Sequence, residues 1–522
     1  MAWVLRFLMF LMGLLLKILQ PFFRSRDRGR KPCIPPNDNP LLRLTASELA
    51  RKIRLGEISS ETVVKVYIER IQEVNPIVNA VIEDRYEEAL NDARRCDEKL
   101  NSGEVPKAHL EVKMPLYGVP FTVKESCSLK GLSHTGCSLL RQGIKAATDS
   151  PIVASMKRAG AIPLCVTNTP ELCSGFGSDN LLFGRTTNPY DGRRIAGGSS
   201  SGEGALLGAG ASLIGIGSDI AGSIRIPALF NGVFGHKPTP GIIPITEHYP
   251  NSDCETFKKY LVLGPLARYM DDLTLAMRVM SGEQAKNLRL DETIDIRKLR
   301  IFYREDAGRS FGTEPVDPAI KRSIKSAASH FKTCGARVSD APLGSLHETL
   351  EITITGLVTV PKLPHILINP ADPKNECNGL IEFLKGLFGM SNYTKSAALM
   401  TIIRDFKAFT TEAERKRVAS AAETLREKFL VMLGDDGVFF YPTFTTPAPA
   451  VGEVTLQYPA AIYCLLANVF GFPATHVPMG LNEKGLPIGF QVIAGPNQDR
   501  LCLAVAKELE KQFGGWVAPP TC

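Results

Sequence analysis

Short apolar runs alternate with amphipathic stretches along most of the chain. The runs are four to seven residues long and are bounded by glycine, proline or polar residues, which is typical of buried strands. They occupy residues 119–123, 162–166, 213–217, 299–303, 438–441, 475–479 and 488–494. Helical patterns lie between most of them, at residues 151–159, 271–280, 317–332, 411–433 and 500–513. Because alternating strands and helices pack as a sheet with helices on both faces, the pattern predicts an α/β fold.

Three amphipathic helices are predicted before the first of these strands. Thr45 and Glu48 have the spacing of a capping box, which predicts a helix that ends near Leu55. A second helix is predicted over residues 61–74, and the proline at position 76 is expected to follow its end. The third is predicted over residues 86–100. These helices are expected to form a layer that packs against the sheet.

The N-terminal segment is strongly apolar. Residues 2–23 read AWVLRFLMFLMGLLLKILQPFF, and the basic block RSRDRGRK follows at 24–31. A spanning helix needs about 20 apolar residues, a length that this segment reaches only if Arg6 and Lys17 extend toward the lipid headgroups. A cleaved signal peptide is disfavoured, because the segment lacks a small-residue cleavage site and its basic block lies on the wrong side.

A buried core helix is also disfavoured, because the segment is apolar nearly all round and ends in basic residues. We therefore expect residues 1–31 to be a membrane anchor, either spanning or monotopic, that holds the rest of the protein on the cytosolic side or at a lipid droplet. The proline-rich residues 32–43 are predicted to be a linker. No further linker or internal repeat divides residues 44–522, which are expected to form one large domain.

The net charge of +7 lies almost entirely in the N-terminal segment. Residues 1–31 contain seven Lys or Arg residues and one Asp, so the other 491 residues carry a net charge of only +1. The body of the protein therefore lacks the basic excess that nucleic-acid binding requires. The twelve cysteines show no CxxC spacing, which predicts free thiols in a reducing compartment rather than a metal site.

A segment rich in glycine and serine carries the candidate chemistry. Residues 197–203 read GGSSSGE, and a turn of small residues, Ile220 to Ser223, follows the strand predicted at 213–217. A dinucleotide-binding loop and a phosphate-binding loop both fit poorly, and Ser223 lacks the GxSxG setting of an α/β-hydrolase nucleophile. Small residues let backbone N–H groups approach a substrate carbonyl, so the turn is a candidate oxyanion hole beside the Ser223 hydroxyl.

Ser199 and Lys124 are the other candidate catalytic residues. Ser199 lies just ahead of a helix predicted to start near Ser200, and a helix N-terminus favours developing negative charge. Lys124 ends an apolar strand. A lysine in that position is usually a solvated surface group. Held out of water beside two serines, however, a lysine loses its preference for the charged form and can act as a neutral base.

These segments are similar to the signature of the amidase signature family. That family has GGSSGG followed by GTDIGGSIR, whereas this chain has GGSSSG at 197–202 and GSDIAGSIR at 217–225. Further matching motifs are Thr167-Asn168, GHKPT at 235–239, NVFGFP at 468–473 and GLPIG at 485–489. The resemblance runs from about residue 44 to the C-terminus. Ala221 and Ser201 stand where the family has glycine, but Ala221 keeps the backbone N–H that an oxyanion hole needs.

This resemblance implies a large twisted mixed sheet with helices on both faces and a Ser–cis-Ser–Lys mechanism. Neutral Lys124 would take a proton from Ser199, and Ser199 would take one from Ser223. Ser223 would attack the amide carbonyl, and water would then hydrolyse the acyl-Ser223. The oxyanion would be bound by the backbone N–H groups of Ile220, Ala221, Gly222 and Ser223.

Within the family, the chain is most similar to the membrane fatty-acid amide hydrolases. This similarity implies hydrolysis of lipid amides to a free fatty acid and an amine at a membrane or lipid-droplet surface, and it allows a homodimer. No metal, organic cofactor or nucleic-acid partner is implied, and His134 and His236 are expected to be structural. A general small-amide amidase, an amidotransferase-type subunit acting on acyl-tRNA and an inactive scaffold are the alternatives.

A second apolar segment, residues 380–390, reads LIEFLKGLFGM and contains only two charged side chains, Glu382 and Lys385. One interpretation is an ordinary core helix. The other is an apolar cap that dips into the edge of a bilayer, although interfacial helices usually carry more basic residues. The pattern alone does not decide between them.

Overall fold

A mixed sheet of eleven strands organises the protein in the computed structural model, which describes residues 10–11, 13–21, 33–104, 106–308, 313–344, 346, 349–405 and 411–521. The strands are β1 (Val81–Asp84), β2 (Pro120–Lys124), β3 (Ile162–Thr167), β4 (Asp179–Asn180), β5 (Gly184–Arg185), β6 (Ile214–Asp219), β7 (Phe234–Lys237), β8 (Val262–Ala267), β9 (Arg300–Tyr303), β10 (Arg337–Asp340), β11 (Ile368–Asn369), β12 (Asp372–Glu376), β13 (Gly437–Pro442), β14 (Ala474–Leu481) and β15 (Pro487–Ala494). The strand order of the large sheet is β1-β3-β2-β6-β8-β7-β14-β15-β13-β9-β10, and β4–β5 and β11–β12 form separate pairs.

Helices connect most of the strands and pack against the sheet. They are α1 (Ala46–Leu55), α2 (Ser60–Val78), α3 (Tyr86–Asn101), α4 (Lys107–Lys113), α5 (Pro151–Arg158), α6 (Ser201–Gly208), α7 (Arg225–Phe230), α8 (Glu255–Tyr260), α9 (Met270–Ser281), α10 (Pro318–Thr333), α11 (Thr349–Val358), α12 (Gly379–Leu387), α13 (Lys395–Asp405), α14 (Glu412–Leu433), α15 (Glu453–Leu456), α16 (Ile462–Phe470) and α17 (Asp499–Phe513). The α/β fold and the mixed sheet are as predicted.

All seven predicted strands are present, with ends within two residues of those predicted. The capping box of Thr45 and Glu48 is also present, with both of its hydrogen bonds. One helix boundary is wrong, because α2 continues through Pro76 to Val78. Val74 and Val78 are both buried, so packing of the last turn offsets the single backbone hydrogen bond that proline removes.

Four strands of the large sheet were not predicted: β1, β7, β8 and β10. The sequence of β8 contains Gly264 and Pro265, which are typical of turns rather than of an interior strand. Pro265 is opposite Ile216 of β6, whereas the pairing of β8 with β7 is confined to Leu266 and Ala267. The other three are four-residue strands with polar or charged positions.

Three neighbouring strands bring the candidate residues to one edge of the sheet. Strand β2 lies between β3 and β6 and is parallel to both, with Lys124 opposite Thr167 and Val123 opposite Ile216. Because parallel strands end at the same edge, the residues that follow β2, β3 and β6 lie close together. This edge carries Lys124 and the turn that starts at Ile220.

A buried carboxyl group lies beneath this edge. Glu203 of α6 accepts hydrogen bonds from Thr122 Oγ1 (2.6 Å) and Thr167 Oγ1 (2.8 Å). A Cβ atom at position 215 would lie 2.0 Å from Glu203 Oε2, so the close approach of α6 to β6 requires glycine there. Burial raises the pKa of Glu203 to about 8, although both threonine hydrogen bonds and the charge of Lys124 act in the opposite direction.

The predicted N-terminal anchor lies partly outside the described residues, which exclude 1–9, 12 and the basic block. Residues 13–21 are helical, with Leu16 buried and Gln20 Nε2 donating to Glu314 Oε1 at 3.0 Å. Five large apolar side chains of this part, Phe10, Leu14, Leu15, Ile18 and Leu19, are exposed, and Leu11 is half-buried. Within the described ranges, every helix is too short or too polar to cross a bilayer. Ten of the described cysteines are free as expected, whereas Cys33 is disulfide-bonded.

The raised pKa of Glu203 predicts a pH-dependent stability. Its folded pKa of about 8 exceeds its usual 4.5, so the folded state holds the proton more tightly and loses stability as pH rises between these values. Each pKa unit corresponds to about 1.4 kcal/mol. Glu203→Gln cannot ionise. We therefore expect its melting temperature, relative to that of the wild type, to be higher at pH 8.5 than at pH 5. Calorimetry at the two pH values measures this, with exposed Glu483→Gln as the control that shows no such gain; an equal effect at both pH values would contradict the assignment.

Candidate active site

Lys124 places a buried side-chain nitrogen between two serine hydroxyls. Its side chain has no solvent exposure, and its Nζ lies 2.7 Å from Ser199 Oγ and 2.8 Å from Ser218 Oγ. The sequence alternative of a solvated surface lysine is therefore wrong. The site brings Lys124 and Ser199 into direct contact although they lie 75 residues apart in the chain.

Ser199 enters the site immediately ahead of α6. Helix α6 starts at Ser201 with Ser200 as its N-cap, so the expected position of Ser199 just before the helix is confirmed. The peptide bond between Gly198 and Ser199 is cis. Thr169, which follows β3, donates from Oγ1 to the Ser199 carbonyl at 2.8 Å. The backbone around Ser199 is thus bonded to the strand beside Lys124.

A buried ion pair shapes the turn that contains Ser223. Asp219 and Arg225 are both fully buried, and Arg225 donates two hydrogen bonds to the Asp219 carboxylate, at 2.9 and 3.1 Å. The same carboxylate accepts from the backbone N–H groups of Gly222 (2.8 Å) and Ile224 (3.1 Å). Burial alone would raise the pKa of Asp219, but the charge and hydrogen bonds of Arg225 hold it well below its usual range. The turn is therefore wrapped around a permanent negative charge.

Three of the four predicted oxyanion donors have no competing acceptor among the residues that the structure describes. The Gly222 N–H is already bonded to Asp219, whereas the N–H groups of Ile220, Ala221 and Ser223 make no hydrogen bond with any residue that the structure describes. Gly222 has φ of +114°, and a Cβ there would lie 2.6 Å from Cys464 Cβ, so the turn requires glycine at this position. Three backbone donors are thus available beside the Ser223 hydroxyl.

Ser223 opens into two adjoining cavities. The larger, about 390 Å³, is almost entirely apolar and is lined by side chains that include Phe176, Ile354, Leu399, Ile402 and Leu465. The smaller, about 110 Å³, contains Ser199, Ser218 and His248 and shares Ser223 and Ile220 with the larger one. The Ser223 hydroxyl makes no hydrogen bond to the described residues, while the Ser200 N–H donates to the Ser223 carbonyl at 3.2 Å. The polar cluster and the apolar cavity therefore meet at Ser223.

Known proteins match nearly the whole chain. The family profile described as amidase matches residues 62–503. Fatty-acid amide hydrolase 2 of Homo sapiens is 39% identical over 522 residues, which cover 99% of this chain and 97% of that protein. The chain belongs to the amidase signature family. Fatty-acid amide hydrolase 2-B of Danio rerio is 40% identical, with 95% of each chain covered. The crystal structure of a bacterial aryl acylamidase of the same family matches in fold, with a TM-score of 0.73 at 23% identity over 92% of this chain and 98% of that one.

Four polar residues of this amidase site were not singled out from the sequence. Ser218 and Asp219 lie within the matched GSDIAGSIR motif, which was a usable signal. His248 and Cys173 come from loops distant in the chain and had no recognisable motif. His236 binds Thr475 and Asp499 in the interior, in agreement with a structural role.

A group of side chains outside the site at Ser223 has the spacing of metal ligands. Among the described residues, His330, Cys334 and Glu508 have ligand atoms within 4.8 Å of one another. They belong to α10 and α17, and none of them lines either cavity at Ser223.

Cys173 borders both cavities beside the polar cluster. Its Sγ lies 3.6 Å from Thr169 Oγ1. Burial would raise the pKa of the Cys173 thiol, but Lys124 and His248, in the state in which both are protonated, lower it to about 6. In that protonation state the Cys173 thiolate is populated above about pH 6 and is lost below it, which makes Cys173 more reactive toward thiol reagents than the buried Cys127.

We expect iodoacetamide to alkylate Cys173 at pH 7 and to spare Cys127, whose pKa burial raises to about 12. Because the charge of Lys124 is the main cause that lowers the Cys173 pKa, Lys124→Met should slow this alkylation severalfold at pH 7 and less at pH 9. Peptide mass spectrometry over time measures both rates, with Cys173→Ser as the control that abolishes the adduct. An alkylation rate unaffected by Lys124→Met would contradict the electrostatic explanation.

Proposed function

We propose that this amidase hydrolyses long-chain fatty-acid amides through an acyl-enzyme on Ser223. The observation that carries the proposal is the position of Ser223, which lies where the Lys124–Ser199 pair meets an apolar cavity of about 390 Å³. The two relatives that are 39% and 40% identical to the chain are named fatty-acid amide hydrolases, which supports the same substrate class here.

The proton path begins at the buried lysine. Neutral Lys124 accepts a proton from Ser199, which is 2.7 Å away, and Ser199 accepts the proton of Ser223. Since the Ser223 hydroxyl has no competing hydrogen bond among the described residues, rotation of its side chain directs it at Ser199. When the tetrahedral intermediate collapses, the proton returns through Ser199 to the leaving nitrogen. A water molecule then repeats the sequence and releases the fatty acid.

The negative charge that develops on the substrate carbonyl oxygen is placed against the turn after β6. The backbone N–H groups of Ile220, Ala221 and Ser223 are the proposed oxyanion donors. Gly222, the fourth donor that the resemblance implies, already donates to Asp219 and acts by holding the turn in shape. Loss of one such donor typically costs about 2.7–4 kcal/mol of transition-state stabilisation. An alanine at position 221 retains its N–H and therefore keeps this function.

The apolar cavity accounts for the preference for a long acyl chain. It is bounded by helices α11, α13 and α16, whose side chains present almost no polar surface to it. Each methylene that leaves water contributes about 0.8 kcal/mol, which is close to a fourfold gain in binding. A general small-amide amidase would have no use for such a cavity.

A chain-length series of primary amides tests the proposed function. We expect kcat/KM to rise by orders of magnitude from acetamide to a long-chain fatty-acid amide until the cavity is filled, and Ser223→Ala to lose activity on every member. A fluorophosphonate probe should modify Ser223 of the wild type, as located by peptide mass spectrometry. Equal rates across the series would replace the lipid-amide assignment with a general amidase. A covalent adduct on Ser199 would reverse the two serine roles.

We further propose that the enzyme, whose catalytic unit we assign to residues 44–522, works at a membrane surface through two apolar parts. The first is the N-terminal segment, residues 1–31, whose described apolar side chains are mostly exposed while Leu16 and Gln20 contact the body. This arrangement favours a monotopic anchor over a spanning one. The second is an apolar patch on and just after α12, formed by the exposed residues Leu380, Ile381, Leu384, Leu387, Phe388 and Met390.

The apolar patch is placed well for delivery of a lipid. Helix α12 packs against α13, and α13 supplies Leu399, Met400, Ile402 and Ile403 to the cavity at Ser223. Phe388 is 77% exposed, whereas Phe383 packs inward against a small buried cluster. Exposed apolar groups of this density are characteristic of membrane or protein interaction sites. A substrate that leaves the bilayer at the patch reaches Ser223 along apolar side chains.

Leu384→Glu with Phe388→Glu should weaken binding to phosphatidylcholine vesicles, because two charges would enter the bilayer interface. Vesicle flotation of the protein lacking residues 1–31 measures this binding. The matched control is the double variant Val431→Glu and Leu55→Glu, which changes two exposed apolar residues away from the patch. We expect the patch variant to float less than the control while it retains activity on short soluble amides. Equal flotation of the two variants would exclude the apolar patch as a membrane contact.

A further inference from the structure

His248 is bound to the loop that carries the lysine. The segment around it lies against the residues that follow β2, with the Tyr249 N–H donating to the Ser126 carbonyl (2.8 Å) and the Ser128 N–H donating to the Glu247 carbonyl (3.1 Å). Its ring is almost completely buried and lines the smaller cavity with Ser218. These contacts fix the distance between His248 and the end of β2.

The hydrogen-bond partners of His248 determine its tautomer. Nδ1 lies 3.0 Å from the Pro250 carbonyl oxygen, which can only accept a hydrogen bond, so Nδ1 carries the proton. In the neutral ring Nε2 is then an acceptor, and its partner at 2.9 Å is Ser218 Oγ. The Ser218 hydroxyl therefore donates to His248, and the lone pairs of Ser218 Oγ are left for Lys124 Nζ at 2.8 Å.

The direction of the Ser218–His248 hydrogen bond matters because neutral Lys124 has one lone pair and two close hydroxyl partners. To accept a proton from Ser199, Lys124 must direct that lone pair at Ser199 and an N–H at Ser218. If the Ser218 hydroxyl had no acceptor of its own, it would compete with Ser199 for the same lone pair. Because His248 Nε2 accepts the hydrogen bond of the Ser218 hydroxyl, Ser218 does not compete with Ser199 for the Lys124 lone pair.

We propose that His248 is a positioning residue that, through Ser218, directs the lone pair of neutral Lys124 toward Ser199. The inference rests on the proposed function, in which Lys124 acts as the base. His248 need not contact the reacting carbonyl. Its effect should therefore appear in the rate of the chemical steps rather than in the affinity for a long acyl chain, which the larger cavity determines.

Steady-state kinetics of three variants on a long-chain fatty-acid primary amide test this role. His248→Phe keeps a ring but removes the acceptor, and we expect kcat to fall about tenfold, part of the roughly 10²–10⁴-fold that a positioned base contributes, with KM within about twofold. His248→Gln restores an acceptor oxygen and should recover most of kcat. In the Ser218→Ala background, where no hydroxyl competes, His248→Phe should have little further effect.

His134→Phe is the matched control, because His134 also lies in this region but bonds to Ser126 and Ser128 and has no contact with Ser218. It should retain the wild-type kcat. Thermal melting checks that each variant is folded, and His248→Leu replaces His248→Phe if the latter unfolds. Wild-type kcat in the variant without the acceptor, equal losses in the Phe and Gln variants, or losses that multiply in the Ser218→Ala background would each overturn the proposal. Absence of wild-type turnover would instead refute the proposed function.

Discussion

The buried ion pair between Asp219 and Arg225 is the interaction on which the rest of the site depends. Arg225 also donates to Gln491 of β15 and to Asn468 and the Cys464 carbonyl of α16, so one guanidinium joins distant parts of the fold. Asp219 meanwhile fixes two N–H groups of the catalytic turn. Removal of one partner from such a buried pair typically costs about 3–5 kcal/mol, because the other charge is left uncompensated. The position and orientation of Ser223, the proposed nucleophile, thus depend on a buried ion pair that lines neither cavity.

A second constraint is the exclusion of water from the polar cluster. Lys124, Ser199 and Ser218 are buried at the edge where β2 and β6 end, and Glu203 lies buried beneath them. A buried lysine is an effective base only if its charged form is not over-stabilised. The raised pKa of Glu203 is consistent with this requirement, because a protonated carboxyl adds no negative charge beneath Lys124.

The chemistry and the substrate range of the protein are built by different parts of the chain. The strands β2, β3 and β6 and the turns that follow them hold the polar cluster. Helices α11, α12 and α13, which lie in the chain between β10 and β13, supply much of the wall of the apolar cavity and the exposed patch. Substitutions in this wall should therefore have little effect on the geometry of the polar cluster.

Local patterns in the sequence determined much of the fold and the main candidate residues. Seven strands, the capping box at Thr45 and the helix after Ser200 follow from periodicity and capping chemistry, which depend on near neighbours in the chain. The tertiary structure alone decided the rest. Strand β8 forms despite Gly264 and Pro265 because β6 and β7 pair with it on either side, Gly222 donates to Asp219 because the turn folds back on it, and His248 meets Ser218 across 30 residues. Such contacts arise from topology and packing between distant segments, and no local pattern of side chains encodes them.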